Sequence, residues 1–455
     1  MIYSEELINE IVQKVIAEMP SQNTGIFPDM ETAIAAAKKS QLTVRAMSLE
    51  TRERIIKKIR EKTLENAETL AQMAVEETGM GNVPHKIAKH QLTANKTPGT
   101  EDIATTAWSG DNGLTLVEMG PFGVIGAITP STNPSETIIC NTIGMLAGGN
   151  TVVFSPHPAA VKTSLYAVKM INQAAFEVCG AYNIACTVAN PSVESGSVMM
   201  KHEDIELLVA TGGPGLVKAV LASGKRGFGA GAGNPPVLVD ETADLRKAAQ
   251  DIIDGCTFDN NLPCIAEKAV VALNQIADDL MGRMINQENC YLASQAELEQ
   301  LEKLVITPKG LNRDCVGKSA AVLLKKIGVE SSARCIVFEG TKEHPLIAEE
   351  LMMPILGMVR VNSFEEGVET AVWLENGYRH SAHIHSKNVD RLTAYAKALD
   401  TAIIVKNAPS YAALGYESEG FCSFTIASKT GEGLTSAASF TKSRRCVMSE
   451  SLCIR

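Results

Sequence analysis

Ile8, Ile11, Val12, Val15, Ile16 and Met19 recur at helical spacing on one face, with polar residues between them. The pattern predicts an amphipathic helix over residues 4–19. Ser4 is placed to cap it, Glu5 and Glu6 suit the positive end of its dipole, and Pro20 stops it. The Ser21-Gln22-Asn23-Thr24-Gly25 run that follows is a flexible linker by composition, so residues 1–19 read as one unit and 20–26 as its tether. A helix of about sixteen residues is marginal alone in water, and its apolar stripe needs a surface. That surface is either the protein's own body or a partner with a groove for a helix; the tether favours the partner.

From Asp29 to about Gln91 the apolar positions keep helical spacing in an Ala-, Glu-, Lys- and Leu-rich background, as in Ala33–Lys39 and Leu49–Arg60. After Gly120-Pro121 short apolar runs alternate with helical ones: Val124–Thr129, Pro134–Ala147, Thr151–Phe154, Ala159–Cys179. This is the βαβ rhythm of a parallel sheet with crossover helices. A further strand, Ile205–Ala210, runs into Thr211-Gly212-Gly213-Pro214-Gly215, a turn opening a helix near Leu216. Such a turn lets the backbone approach a phosphate at a helix N-terminus. The G-x-G-x-x-G dinucleotide fingerprint is absent. Gly317-Lys318-Ser319 has Asn312 where a P-loop needs its first glycine, which excludes nucleotide hydrolysis on that motif. Gly227 to Gly233 reads equally as a linker-like loop or as a close-approach segment leading into the strand Val237–Val239.

With 455 residues, 45% of them hydrophobic, the chain should bury a large core divided into two or three units. A net charge of -10 argues against nucleic acid or an anionic membrane as partner. No apolar run reaches the roughly 18 to 20 residues that span a bilayer, and the acidic start is no secretory signal, so a soluble cytoplasmic protein is expected. Eleven scattered cysteines without a C-x-x-C pair fit free thiols in a reducing compartment. No metal site is expected: His380, His383 and His385 lack any H-E-x-x-H arrangement, and His383 and His385 share one face of a strand as packing residues.

Chemistry concentrates in Asn260-Asn261-Leu262-Pro263-Cys264-Ile265-Ala266-Glu267-Lys268. Cys264 is a candidate nucleophile, with Lys268 and a helix expected to start just after Pro263 both lowering its pKa. A small core hydrophobe is the competing reading, since cysteine is among the most buried residue types.

Several segments together resemble the aldehyde dehydrogenase superfamily, from about Phe27 to Arg455. They are Glu77-Thr78-Gly79-Met80-Gly81, Asn112-Gly113-Leu114-Thr115-Leu116, Thr129-Pro130-Ser131-Thr132-Asn133-Pro134, Ser155-Pro156-His157-Pro158, Gly229-Ala230-Gly231-Ala232-Gly233-Asn234-Pro235-Pro236, the Cys264 run, and Thr430-Gly431-Glu432-Gly433. More narrowly they resemble the CoA-acylating propionaldehyde and acetaldehyde dehydrogenases of bacterial microcompartments. The resemblance implies an α/β fold with a Rossmann-like cofactor domain over 27–233, a catalytic α/β domain over 234–440, and a small β oligomerisation arm from about 110–122 and 441–455. A homodimer or homotetramer follows from the arm.

For the chemistry, the resemblance implies that Cys264 attacks the aldehyde, hydride passes to NAD, and the resulting thioester is taken by CoA. Asn133 is the implied amide donor to the oxyanion, although ungapped comparison with the Pro-x-Asn-x-Pro pattern of hydrolytic members puts Thr132 at that place. An Asx turn before Pro134 is the alternative for Asn133. NAD is implied along the strand ends at Thr129, Pro130, Ser131, Thr132, Ser155 and His157, at the Thr211, Gly212 and Gly213 turn, and at Glu350, the ribose-holding glutamate. Ser155 replaces a lysine common in hydrolytic members, which leaves NADP open, with NAD favoured. Ala230 stands about where those members carry a general base, which favours thiolysis by CoA over hydrolysis. His380 is the implied base for the CoA thiol, on the expectation of an imidazole near its ordinary pKa; a histidine that merely packs is the alternative. Residues 4–19 match the helices that carry such enzymes to microcompartment shell proteins. A non-catalytic shell-binding scaffold of the same fold is the rival reading, disfavoured by the joint presence of Cys264, Asn133 and Glu350.

Overall fold

The computed structural model describes residues 24–308 and 310–454, so the amphipathic stretch 4–19 lies outside the described residues. Four helices open the described chain: α1 (Met30–Ala46), α2 (Leu49–Glu65), α3 (Ala67–Thr78) and α4 (Val83–Lys96). Side-chain oxygens start three of them, as Asp29 accepts from Thr32 N, Ser48 from Thr51 N and Asn82 from His85 N.

The first sheet contains β1 (Ile26–Phe27), β2 (Val124–Thr129), β3 (Thr151–Pro156), β4 (Ala185–Val188), β5 (Ile205–Thr211) and β6 (Arg226–Ala230). They lie in the order β1-β4-β3-β2-β5-β6, all parallel. The crossovers include α5 (Pro134–Ala147), α6 (Val161–Cys179) and α7 (Val193–Lys201), and α8 (Pro214–Leu221) joins β5 to β6. Helices on the faces bury both sides of the sheet, which is why β2 and β3 read as continuous apolar runs. Strand Val124–Thr129 and helix Pro134–Ala147 keep their predicted bounds. The last helix starts at Pro214 rather than near Leu216, because proline suits a first helical turn. The chain leaves the neighbours β2 and β5 in opposite directions, creating a crevice at their carboxyl ends.

The second sheet contains β7 (Pro236–Val239), β8 (Ala269–Leu273), β9 (Cys290–Leu292), β10 (Cys335–Glu339), β11 (Ile355–Val361), β12 (Ser381–His385) and β13 (Ile403–Lys406). Its order is β9-β10-β11-β8-β7-β12-β13, again parallel. Val237, Leu238, Val270, Val271 and Ile336 form the middle of its core. The carboxyl ends of the first sheet meet the amino ends of the second, since β6 leads almost directly into β7 and Gly233 N–H bonds Glu350, just ahead of β11. Strands Thr106–Gly110, Gly113–Pro121 and Thr441–Ser449 form a separate antiparallel ribbon with Trp108, Val447 and Met448 exposed. Among the described residues no helix is long and apolar enough to cross a membrane.

Candidate active site

Helix α9 (Leu245–Thr257) ends in a single tight turn, Phe258–Asn261, where Asp259, Asn260 and Asn261 have φ of 48°, 56° and 67°. Each non-glycine residue held there costs on the order of 1 kcal/mol, so other contacts must fix three in a row. Asp259 Oδ2 accepts from Lys86 Nζ at 3.1 Å and Lys89 Nζ at 2.5 Å, and Oδ1 accepts from Asn82 N at 3.0 Å. Asn260 Nδ2 donates to Gly317 O at 2.8 Å. Asn261 Nδ2 donates to Cys256 O and Glu267 O, while Lys268 Nζ donates to Asn261 O and Oδ1. The loop so held presents Cys264, which is partly exposed.

No helix follows Pro263. Ala266 N–H closes a turn on Pro263 O at 3.0 Å and Lys268 N–H reaches Pro235 O at 3.0 Å, which draws the chain straight into β8. The dipole expected from a helix just after Pro263 is therefore missing. Burial, and next the Glu350 carboxyl, push the Cys264 thiol up to about 12; Lys268 and the N–H groups of Cys264 and Ile265 pull the other way and lose. The expected net lowering is therefore absent in this state.

Asn133 stands immediately before α5 and is buried. Its side chain makes no capping bond to that helix, which sets aside the Asx-turn alternative. Oδ1 accepts from Lys89 Nζ at 2.5 Å, and Nδ2 donates to Thr132 Oγ1 at 3.2 Å. Lys86, Lys89, Glu136 and Asp259 are fully buried together, with Lys89 3.1 Å from Glu136 Oε1. Burial raises the Glu136 carboxyl, yet Lys89, His90 and Lys86 outweigh it and hold it at about 2.

His380 is buried, its Nδ1 2.9 Å from Ser381 Oγ and its Nε2 without a hydrogen-bond partner. Burial, helped by Lys268 and His383, pushes it down to about 3, so the imidazole is neutral and far from its ordinary value. A Cβ on Gly233 would sit 2.8 Å from His380 Cγ and 3.1 Å from Cys264 O, which puts the histidine beside the nucleophile and makes Gly233 part of a close-approach segment. His383 does more than pack: its Nε2 donates to Ile265 O at 2.8 Å and braces the Cys264 turn. Glu350, half-buried, accepts Gly233 N–H at 3.2 Å, and desolvation raises its carboxyl against the pull of Lys268.

The residues expected to hold a dinucleotide gather at the carboxyl ends of the first sheet. Thr129 O accepts His157 N–H at 3.1 Å, and Thr129 Oγ1 is buried without a hydrogen-bond partner. Pro130, Ser131 and Thr132 form the loop from β2 to Asn133. Ser155, the last residue but one of β3, lies beneath α7, its Oγ 3.1 Å from where a Cβ on Gly196 would lie. Thr211 Oγ1 pairs with Thr425 Oγ1 at 2.9 Å, Gly212 N–H bonds Ala230 O, and Gly213 heads α8 with no side-chain cap. A Cβ on Gly213 or Gly215 would meet nothing within 4 Å. Open space before an uncapped helix start suits an anionic group.

Beside the thiol, Leu92, Ile265, Leu414, Phe424 and Ile426 form an apolar wall against which Cys264 and Tyr416 pack. Lys86, Lys89, Glu136 and Asp259 escaped the sequence reading, which took His383 for a packing residue only. The available signal was a helix, α4, whose inward face carries Lys86 and Lys89 where apolar residues would be expected.

Residues 3–422 match the model of the aldehyde dehydrogenase family. The chain is 45% identical to a propanal dehydrogenase (CoA-propanoylating) of Citrobacter freundii, covering 99% of each. Among solved structures it is similar to a propionaldehyde dehydrogenase from the Clostridium phytofermentans fucose utilisation bacterial microcompartment, with 71% identity and a TM-score of 0.94 over 95% of this chain and 100% of that one. It is also similar to the Rhodopseudomonas palustris propionaldehyde dehydrogenase with bound CoA and an acylated cysteine, with 52% identity and a TM-score of 0.93 over 95% and 100% of the two chains.

Proposed function

The chain belongs to the aldehyde dehydrogenase family, and we propose that it is a CoA-acylating member, oxidising a short aliphatic aldehyde with NAD and CoA to acyl-CoA and NADH. Propionaldehyde is the first choice of substrate and acetaldehyde the second, in keeping with the relatives and with the apolar wall beside Cys264. One observation carries the reading: a partly exposed cysteine stands next to that wall, while Ala230, not a carboxylate, ends β6 where hydrolytic members carry their base. The uncapped start of α8, its open glycines and the partnerless Thr129 Oγ1 fit a dinucleotide.

Cys264 Sγ attacks the aldehyde carbon as the thiolate, its proton having passed to solvent, and the carbonyl oxygen becomes an oxyanion facing Asn133 Nδ2 and the Cys264 N–H. NAD, when bound, supplies the hydride acceptor. As the C–H hydride leaves, the oxyanion collapses to a thioester on Cys264. With no base at Ala230 to activate water, the thioester waits for CoA, whose sulfur displaces Cys264. His380 Nε2, unengaged and beside Cys264, is assigned the proton of the CoA thiol on position alone, since its burial in this state weakens it as a base. Glu350 is assigned to the nicotinamide ribose hydroxyls.

Residues 4–19 are assigned to shell proteins of a bacterial microcompartment in the cytoplasm, and the antiparallel ribbon to contacts in a homodimer or homotetramer. Deleting residues 1–20 should leave turnover intact and abolish co-localisation with shell proteins. The central test is NADH formation from NAD and propanal, with and without CoA, in the wild type and Cys264→Ser. CoA-dependent turnover lost in the variant supports the proposal; equal turnover without CoA would mean hydrolysis and defeat it.

A further inference from the structure

Lys89 Nζ donates to Asn133 Oδ1 and to Asp259 Oδ2, each at 2.5 Å, and forms an ion pair with Glu136 Oε1 at 3.1 Å. The Phe424 ring lies 5.8 Å from its Nζ. The side chain is fully buried, so water cannot replace any of these partners. A primary amide is nearly symmetric in shape, and only its neighbours decide whether oxygen or nitrogen faces a given direction. An ammonium has no lone pair, so it donates only to the oxygen of Asn133 and turns the NH2 away.

We infer that Lys89 is a positioning residue that fixes the Asn133 amide with its donor toward the reacting carbonyl oxygen and ties it, through Asp259, to the loop that carries Cys264. The inference rests on the assignment of Asn133 to the oxyanion. Its physical force lies in what removal would leave behind. Without Lys89 the carboxylates of Asp259 and Glu136 are buried acceptors beside Asn133, and the amide can rotate to give them its NH2. Oδ1 would then face the developing oxyanion, exchanging attraction for repulsion.

The test is a double-mutant cycle read by pre-steady-state hydride transfer, with melting curves on every variant. Asn133→Ala should slow hydride transfer by about 100-fold, the scale of one lost oxyanion donor. Lys89→Met should slow it by about as much while KM for NAD and CoA stays within about threefold, and in the Asn133→Ala background should cost less than about threefold more. Lys86→Met is the control for a merely structural effect: Lys86 bonds Asp259 and Thr132 O but not Asn133, so its cost should be alike in both backgrounds. If Lys89→Met fails to fold, Lys89→Met/Glu136→Gln removes one charge of each sign and is read in the same way. A full Lys89→Met cost in the Asn133→Ala background overturns the inference, as does a folded variant with unchanged hydride transfer. A harmless Asn133→Ala instead removes the oxyanion assignment itself, and this inference with it.

Discussion

The two faces of the crevice are built by opposite means. On the first sheet, Thr211 ends β5 with its hydroxyl taken up by Thr425, and Gly212 and Gly213 then carry the chain into α8 with backbone alone, with empty space at Gly213. On the second sheet, the loop ahead of β8 is held by side chains throughout: Asp259, Asn260 and Asn261 sit in a disfavoured backbone region, Asp259 and Asn260 spend their polar atoms on distant segments, and Asn261 ties the two ends of the loop together. A backbone cradle can receive and release a ligand without breaking bonds between its own side chains. A nucleophile that carries an acyl group from one partner to the next must keep its position through the exchange, and strain fixed by buried charges does that.

The largest effects should come from loosening the pinned face. Asp259→Ala leaves Lys86 and Lys89 without their shared buried carboxylate, and breaking such a set costs about 3 to 5 kcal/mol. We expect a much lower melting temperature and little dehydrogenase activity. Gly81→Ala attacks the same clamp from outside: at φ 75° a Cβ would lie 2.1 Å from Asp259 Oδ1, which forces the carboxylate off its partners. Wild-type melting curves and rates for both variants would show that the loop does not depend on this clamp.

What was legible in the sequence follows the same division. Backbone patterns gave the parallel strands around Val124–Thr129 and Thr151–Phe154 and the glycine turn after β5, because period and glycine placement are local properties. The pinned loop depends on long-range partners: Asp259 meets Lys86 and Lys89 from more than a hundred residues away, and no local period records that. The expected helix after Pro263 failed for a related reason. The pull of Pro235 O on Lys268 N–H into the β7–β8 ladder is tertiary, and it outweighed the local signal of a proline followed by helix formers. The pKa expectations for Cys264 and His380 also failed through tertiary burial, which a sequence shows only as neighbouring residue types.

A smaller effect sharpens the comparison at the thiol itself. Alkylation of Cys264 requires the thiolate, and with the thiol pushed up to about 12 the reaction should keep accelerating with pH, about tenfold per pH unit, through pH 8 to 10. Glu350→Gln removes a group that raises the thiol, so alkylation at fixed pH should become faster, by about threefold or more. Lys268→Gln removes a group that lowers it, so alkylation should become slower. Iodoacetamide rates read at Cys264 by peptide mass separate this site from the exposed Cys179 and Cys446. Shifts of the same sign in both variants would mean that local packing, not charge, governs the thiol.

The smallest expected effect belongs to the backbone face. Gly213 has φ -64°, a value any residue adopts, and a Cβ there meets no protein atom within 4 Å. Gly213→Ala should therefore melt with the wild type, in contrast to Gly81→Ala, where both the backbone angle and the neighbour forbid the added carbon. If the open space before α8 is where a dinucleotide phosphate comes to lie, the methyl should raise KM for NAD by about tenfold, the scale of one lost 1.4 kcal/mol contact, with kcat nearly unchanged. Dissociation constants for NAD from tryptophan or NADH fluorescence give the same comparison without turnover. A variant that binds NAD as the wild type does would move the phosphate away from this turn, leaving the strand ends at Thr129 and Ser155 to carry the cradle.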